Sequence, residues 1–128
     1  MKDVLLSIKP EYPALIYAGK KTVEFRRGLP ISAFYWSRFH IYIYESSPVR
    51  MVTGWADVSG VFHATVENMW RMLGGSGGIS WNAYSEYMIG ATGAWGLVIS
   101  KINPFAEPLS LSSFGIERPP QSWRYIYH

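Results

Sequence analysis

The apolar residues of this chain come in short runs or two-residue alternations, and glycine or proline closes almost every one. That punctuation leaves little room for long helices and asks for a protein built on strands. Val4–Ile8 is an apolar run ended by Lys9-Pro10, which reads as a buried strand. Thr22–Arg26 alternates, with Val23 and Phe25 on one face and Thr22, Glu24 and Arg26 on the other. Phe39–Tyr44 is rich in β-formers and stops at Ser46-Ser47-Pro48. Val52–Phe62, with Gly54 and Gly60, suits a long bent strand with a bulge. Leu97–Ile102 is a further strand, and Phe105–Leu111, after Pro104, is a candidate for one more.

Helices are expected only where caps and periodicity agree. Pro13 fits the first turn of a helix through Ala14–Ala18, with Gly19 as its stop. Thr65 caps Val66–Leu73, and Ser80 caps Trp81–Met88. Between them, Gly74-Gly75-Ser76-Gly77-Gly78 reads as a flexible break, too short to divide domains and without the lysine of a phosphate-binding glycine loop. Gly28–Ser37 reads as a loop, and the aromatic tail around Trp123 as a strand closing the fold. The expected class is α+β: one domain over residues 1–128, a small mixed β-barrel of five or six strands with about three short flanking helices.

Composition narrows the function classes. At 48% hydrophobic and 16% charged residues, the 128-residue chain is too apolar for disorder. It has no cysteine, which removes disulfides, thiolate catalysis and cysteine zinc sites. His40, His63 and His128 have no ligand spacing, so neither a metal nor a cofactor is expected. The first residues hold too short an apolar run for a signal peptide, and no stretch approaches a membrane span, so a cytoplasmic protein without a membrane partner is expected. Nothing in the pattern defines an oligomeric state. Net charge is +3, but residues 1–50 hold eight basic against four acidic side chains, a distribution that suits a polyanion such as nucleic acid, or simply a solvated basic face.

Leu6-Ser7-Ile8-Lys9-Pro10 and Gly19-Lys20-Lys21-Thr22-Val23-Glu24-Phe25-Arg26-Arg27 together resemble the ASCH domain family of the PUA-like superfamily. Tyr44-Glu45-Ser46-Ser47-Pro48-Val49 and Pro119-Pro120-Gln121-Ser122-Trp123-Arg124-Tyr125 extend the resemblance across most of the chain. It implies a PUA-like barrel with a helix-flanked cleft. It also implies RNA or another nucleic acid as partner, and a role in regulating transcription or translation.

The residues give such a cleft chemical content. Lys9, Lys21 and Arg26 are phosphate candidates, and Glu24 is a carboxylate held between cations; the same set equally makes a structural ion pair at the barrel entrance. Tyr44, Ser46, Ser47 and Arg50 offer hydroxyls and charge at a strand end that is otherwise an ordinary turn. Ser122 and Arg124 are further nucleic-acid candidates in the tail. Trp36, Trp55, Trp81 and Trp95 are either core residues or platforms for bases, which stack at about 1–3 kcal/mol each.

A binding module without catalytic residues is the leading expectation. The alternatives are a ribonuclease using Lys21 and Glu24 for acid–base work, an acetylcytidine amidohydrolase, and a protein-interaction domain. The amidohydrolases of this group have a G-x-K-T-x-T pattern in which the last threonine is the nucleophile; Glu24 stands there, and the segment around Gly74–Gly78 lacks the later glutamate. Glu24→Gln is expected to leave the fold intact. RNA affinity is expected to fall with salt, and Lys21→Ala or Arg26→Ala to weaken it and flatten the log–log slope by roughly one unit per lost phosphate contact. A filter-binding titration at several salt concentrations checks this.

Overall fold

The computed structural model describes residues 2–29 and 39–127. Most of the loop expected at Gly28–Ser37, with Trp36, lies outside the described residues. Strand β1 (Lys2–Ile8) leads to helix α1 (Pro13–Tyr17) and strand β2 (Val23–Arg26). Strands β3 (Phe39–Glu45) and β4 (Met51–Ala64) follow, then helices α2 (Val66–Leu73) and α3 (Trp81–Tyr87), strand β5 (Ala94–Leu109) and strand β6 (Trp123–Tyr127). Short 3-10 turns occupy Gly74–Ser76 and Leu111–Phe114.

The strands form one mixed sheet in the order β2-β5-β4-β3-β1-β6, antiparallel except for the parallel pair β1 and β3. That parallel pair needs a crossover, which α1 and β2 provide. The expected closed barrel is corrected here. Among the described residues no backbone ladder joins β2 to β6, so the sheet is open along that seam. The cause is the shortness of β2: its four residues pair with β5 on one side only.

The two strands expected around Pro104 are one. β5 runs through Pro104 and through Lys101, whose φ is +46, with three register shifts against β4. Such irregularities bend a strand and let proline sit in it. Gly54 makes the bend possible, because a Cβ there would lie 2.7 Å from the Asn103 carbonyl oxygen and from the Tyr17 hydroxyl.

Alternation sorts the core. Val4, Leu6, Ile8, Ile41, Ile43, Ala56 and Val58 fill one face of the sheet, while Leu5, Tyr44, Val52 and Ile126 pack on the other. Fully burying one such aliphatic side chain is worth about 1.5–3 kcal/mol, so these faces fix the register. A third cluster (Val23, Phe25, Met69, Tyr84 and Met88) fastens α2 and α3 to the sheet, with Phe25 edge-on to Tyr84 at 5.0 Å. Both helix caps form as expected: Thr65 accepts from the Asn68 N–H and Ser80 from the Ala83 N–H, each at 3.1 Å. Among the described residues no helix is long and apolar enough to cross a membrane.

The glycine cluster is not a flexible break. The Ser76 carbonyl accepts from the Thr22 N–H at 3.0 Å, and Gly78 has φ +60, with a Cβ there coming within 3.0 Å of the Lys21 Cβ. A Cβ on Gly77 would lie 2.2 Å from Phe25 Cε2. These glycines bring backbone against side chains that the cleft depends on. Gly77→Ala should therefore destabilise the protein by about 1–3 kcal/mol, whereas Gly75→Ala, with open space at its Cβ, should stay within about 0.5 kcal/mol of the parent. Urea unfolding of both variants measures the difference.

Candidate functional site

β2 and the residues before it carry a buried charge cluster. Glu24 and Arg26, two apart on the strand, share a face, and Lys21 reaches the same place from the turn ahead. Glu24 Oε1 lies 3.2 Å from Lys21 Nζ, and Oε2 lies 3.1 Å from Arg26 Nη1. Lys21 is 2% exposed, and Glu24 and Arg26 are 6% exposed. Lys21 Nζ also donates to the Gly77 carbonyl and stands 5.1 Å from the centre of the Tyr12 ring. Arg26 Nη1 donates to the Ser7 carbonyl at 3.3 Å; Nη2 donates to the Ser122 carbonyl at 2.9 Å and to Ser122 Oγ at 2.6 Å. The guanidinium thus bridges the open seam of the sheet. Burial, reinforced by Glu11 and Glu24, pushes the Tyr12 phenol above its usual range.

Two adjoining cavities open beside this cluster. The larger, about 760 Å³, is walled by Lys21, Glu24 and Arg26 and rimmed by Lys9, Arg27, Glu86 and Tyr87, with Ile79 and Ala83 as its apolar side. The smaller, about 390 Å³, is lined by Tyr44, Ser47, Arg50, Pro119 and Pro120. Ser7, Ser46 and Gln121 line both, and Ser122 lines the larger. Tyr44 is rooted in the core, while Ser47 and Arg50 are exposed. Arg50 has φ +55, a left-handed conformation that costs an ordinary residue about 1–2 kcal/mol.

Of the residues read from the sequence, Lys9, Lys21, Glu24, Arg26, Tyr44, Ser46, Ser47, Arg50 and Ser122 all line one cavity or the other. Arg124 does not: it is exposed, and its Nε donates to the Tyr125 carbonyl at 3.3 Å. The candidate tryptophans among the described residues, Trp55, Trp81 and Trp95, also lie elsewhere. Trp55 packs on His40, Trp95 on His63, and Trp81 on Trp70, at ring separations of 4.7, 4.3 and 5.5 Å. The rings that do line the larger cavity are Tyr12, Phe25 and Tyr87. Sequence reading missed Tyr87, Glu86 and Arg27. Arg27 is tied to α3 by a 3.3 Å bond from its Nη1 to the Tyr87 carbonyl, a pairing across distant segments that no local pattern announces. Ser7 had a signal: it is the polar residue inside an apolar strand, and its hydroxyl donates to the Pro120 carbonyl at 2.6 Å. Among the described residues no three histidine or carboxylate side chains converge as metal ligands.

Comparison with known proteins places the chain in a family. Residues 6–105 match the ASCH domain. The chain belongs to the ASCH domain family. An ASCH domain-containing ribonuclease of Zymomonas mobilis is 31% identical over 98% of this chain and 84% of its own length. The crystal structure of ASCH from Zymomonas mobilis superposes with a TM-score of 0.86 at 30% identity, over 98% of this chain and 87% of that one. The same protein has been solved as a tyrosine-to-phenylalanine variant (TM-score 0.87) and a serine-to-alanine variant (TM-score 0.86). A large ribosomal subunit protein uL22 of Ureaplasma parvum is 24% identical over 98% of this chain and 39% of its own length.

Burial changes what Glu24 means for stability in this ASCH fold. Its carboxylate is the counter-charge of two cations withdrawn from water, and losing one member of such a cluster leaves uncompensated buried charge. Contrary to the expectation from sequence, Glu24→Gln should lower the unfolding free energy by about 3–5 kcal/mol. Chemical denaturation measures this, with Lys9→Ala on the exposed rim as the control that should unfold like the parent.

Proposed function

We propose that this ASCH domain is a ribonuclease whose phosphodiester substrate lies where the two cavities meet, among Tyr44, Ser46, Arg50 and Ser122. The observation that carries this reading is the 31% identity to an ASCH ribonuclease over nearly the whole of this chain and most of that one. Geometry supports it. A polyanion needs exposed cations, and Lys9, Arg27 and Arg50 supply them around the joined cavities. The strained backbone of Arg50 is the kind of feature that persists where surroundings hold a residue for use.

In this reading the ribose 2′-oxygen attacks phosphorus while the bond to the 5′-oxygen breaks. The 2′ proton passes to solvent and the departing 5′-oxygen takes a proton from the Tyr44 phenol. Arg50 and Lys9 hold the phosphate, and the hydroxyl of Ser122 donates to a non-bridging oxygen as charge builds there. Glu24 and Lys21, the alternative acid–base pair, are ion-paired with each other at 3.2 Å in the wall of the larger cavity. An amidohydrolase reading finds no acyl-accepting hydroxyl at Glu24.

The test is cleavage of labelled single-stranded RNA and of the same strand with one 2′-deoxy position. Cleavage is expected throughout the RNA except at the deoxy position. Tyr44→Phe should lower kcat by about 10²–10⁴-fold, and Arg50→Ala should lower kcat/KM by about 10²-fold. Salt-dependent binding without cleavage of any RNA would overturn the ribonuclease reading and restore the non-catalytic regulator.

A further inference from the structure

We infer that Lys21, Glu24 and Arg26 form a positioning chain that acts on RNA through Ser122, a conclusion that rests on the ribonuclease reading above. The hydrogen-bond inventory of the cluster carries it. Each terminal nitrogen of a guanidinium has two hydrogens. Those on Arg26 Nη1 go to Glu24 Oε2 and the Ser7 carbonyl; those on Nη2 go to the Ser122 carbonyl and Ser122 Oγ. Lys21 Nζ is held by Glu24 Oε1 and the Gly77 carbonyl and lies beneath the Tyr12 ring. Both terminal nitrogens of Arg26 are thereby fully committed, while its Nε is buried without a partner; Lys21, with two of its three ammonium hydrogens so held, is 2% exposed.

Ser122 is different. Its Oγ accepts from a charged donor at 2.6 Å, and no described residue accepts its own hydrogen. The hydroxyls of Ser7 and Ser46, on the same walls, are committed to the carbonyls of Pro120 and Ile8. A hydroxyl whose oxygen is fixed by a guanidinium is a polarised, oriented donor, suited to an oxyanion. Lys21 fixes one carboxylate oxygen of Glu24 and thereby stops it turning away from Arg26; Glu24 in turn fixes the guanidinium plane. The chain therefore runs from the Gly77 carbonyl to the Ser122 hydroxyl, and it keeps one unit of positive charge behind that hydroxyl.

The competing account is purely structural: Arg26 fastens β6 to the sheet, and Ser122 merely lies in its way. A double-mutant cycle on kcat separates the two. Ser122→Ala should lower kcat by about 10²-fold with KM little changed, and Arg26→Lys should lower it by about tenfold or more. In the Ser122→Ala background, Arg26→Lys should cost less than about twofold further, because residues acting as one unit are not additive. Multiplying effects would overturn the inference and leave the ribonuclease reading standing. A parent that cleaves no RNA would overturn both.

Should Arg26→Lys fail to fold, nuclear magnetic resonance of the Arg26 guanidinium gives the answer with folded proteins only. A 2′-deoxy oligonucleotide should shift that resonance in the parent and leave it unmoved in Ser122→Ala. An equal shift in both proteins would mean that Arg26 senses the substrate without Ser122, against the inference.

Discussion

A single buried carboxylate holds this fold's open seam together. β2 and β6 are the two ends of the sheet, and among the described residues no backbone ladder joins them. The Arg26 guanidinium does so instead, through the carbonyls of Ser7 and Ser122. A guanidinium buried this deeply needs a counter-charge, and Glu24 is it. Glu24 then needs its second oxygen satisfied, which brings Lys21 inward, and Lys21 needs an acceptor, which is the Gly77 carbonyl. The glycines are in place because only a bare backbone can come this close to Lys21 and Phe25. The seam, the helical insertion and the wall of the larger cavity are consequences of one chain of satisfaction.

Such a cluster is a costly way to close a sheet. Well-packed apolar side chains in its place would cost less desolvation, and buried ion networks are frequently neutral or worse for stability than their hydrophobic equivalents. What the ionic version gives is direction. A guanidinium fixes four acceptors in a plane, which hydrophobic contact cannot do. That plane sets where Ser122 stands relative to Ser7, and hence where the larger cavity meets the smaller one.

Much of the scaffold was readable from local pattern. The runs at Val4–Ile8 and Phe39–Tyr44 and the caps at Thr65 and Ser80 are signals carried within a few residues, and the structure has strands and helices there. The misreadings occur where distant segments decide. Pro104 looked like a strand boundary, because proline ends a regular ladder; the bulged pairing of β4 with β5 accommodates it. The glycine cluster looked loose, because its constraint comes from Phe25 and Lys21, some fifty residues earlier. Barrel closure was inferred from strand number, yet it depends on an edge as short as β2 finding a partner. Nine of the ten nucleic-acid candidates line the cavities, since the motif segments converge at the strand ends; Arg124, exposed on β6 opposite Leu5, lines neither and donates to the Tyr125 carbonyl.

The charge asymmetry takes on a different meaning once the cluster is in view. The basic excess of the first fifty residues was read as an electrostatic footprint, but Lys21 and Arg26 are not part of any surface field. Half of their charge is neutralised by Glu24, and the remaining unit acts at short range on the cavity wall, where low local polarisability makes it count for more than it would in solvent. On the ribonuclease reading, long-range attraction of a polyanion would fall to Lys9, Lys20, Arg27 and Arg50, all exposed. The two populations of cation differ in what salt does to them: screening weakens the exposed set over a distance of about 8–10 Å, and leaves the buried set nearly untouched. On the ribonuclease reading, recruitment of a phosphodiester and its orientation would be governed by separate groups, the first sensitive to ionic strength and the second built into the seam.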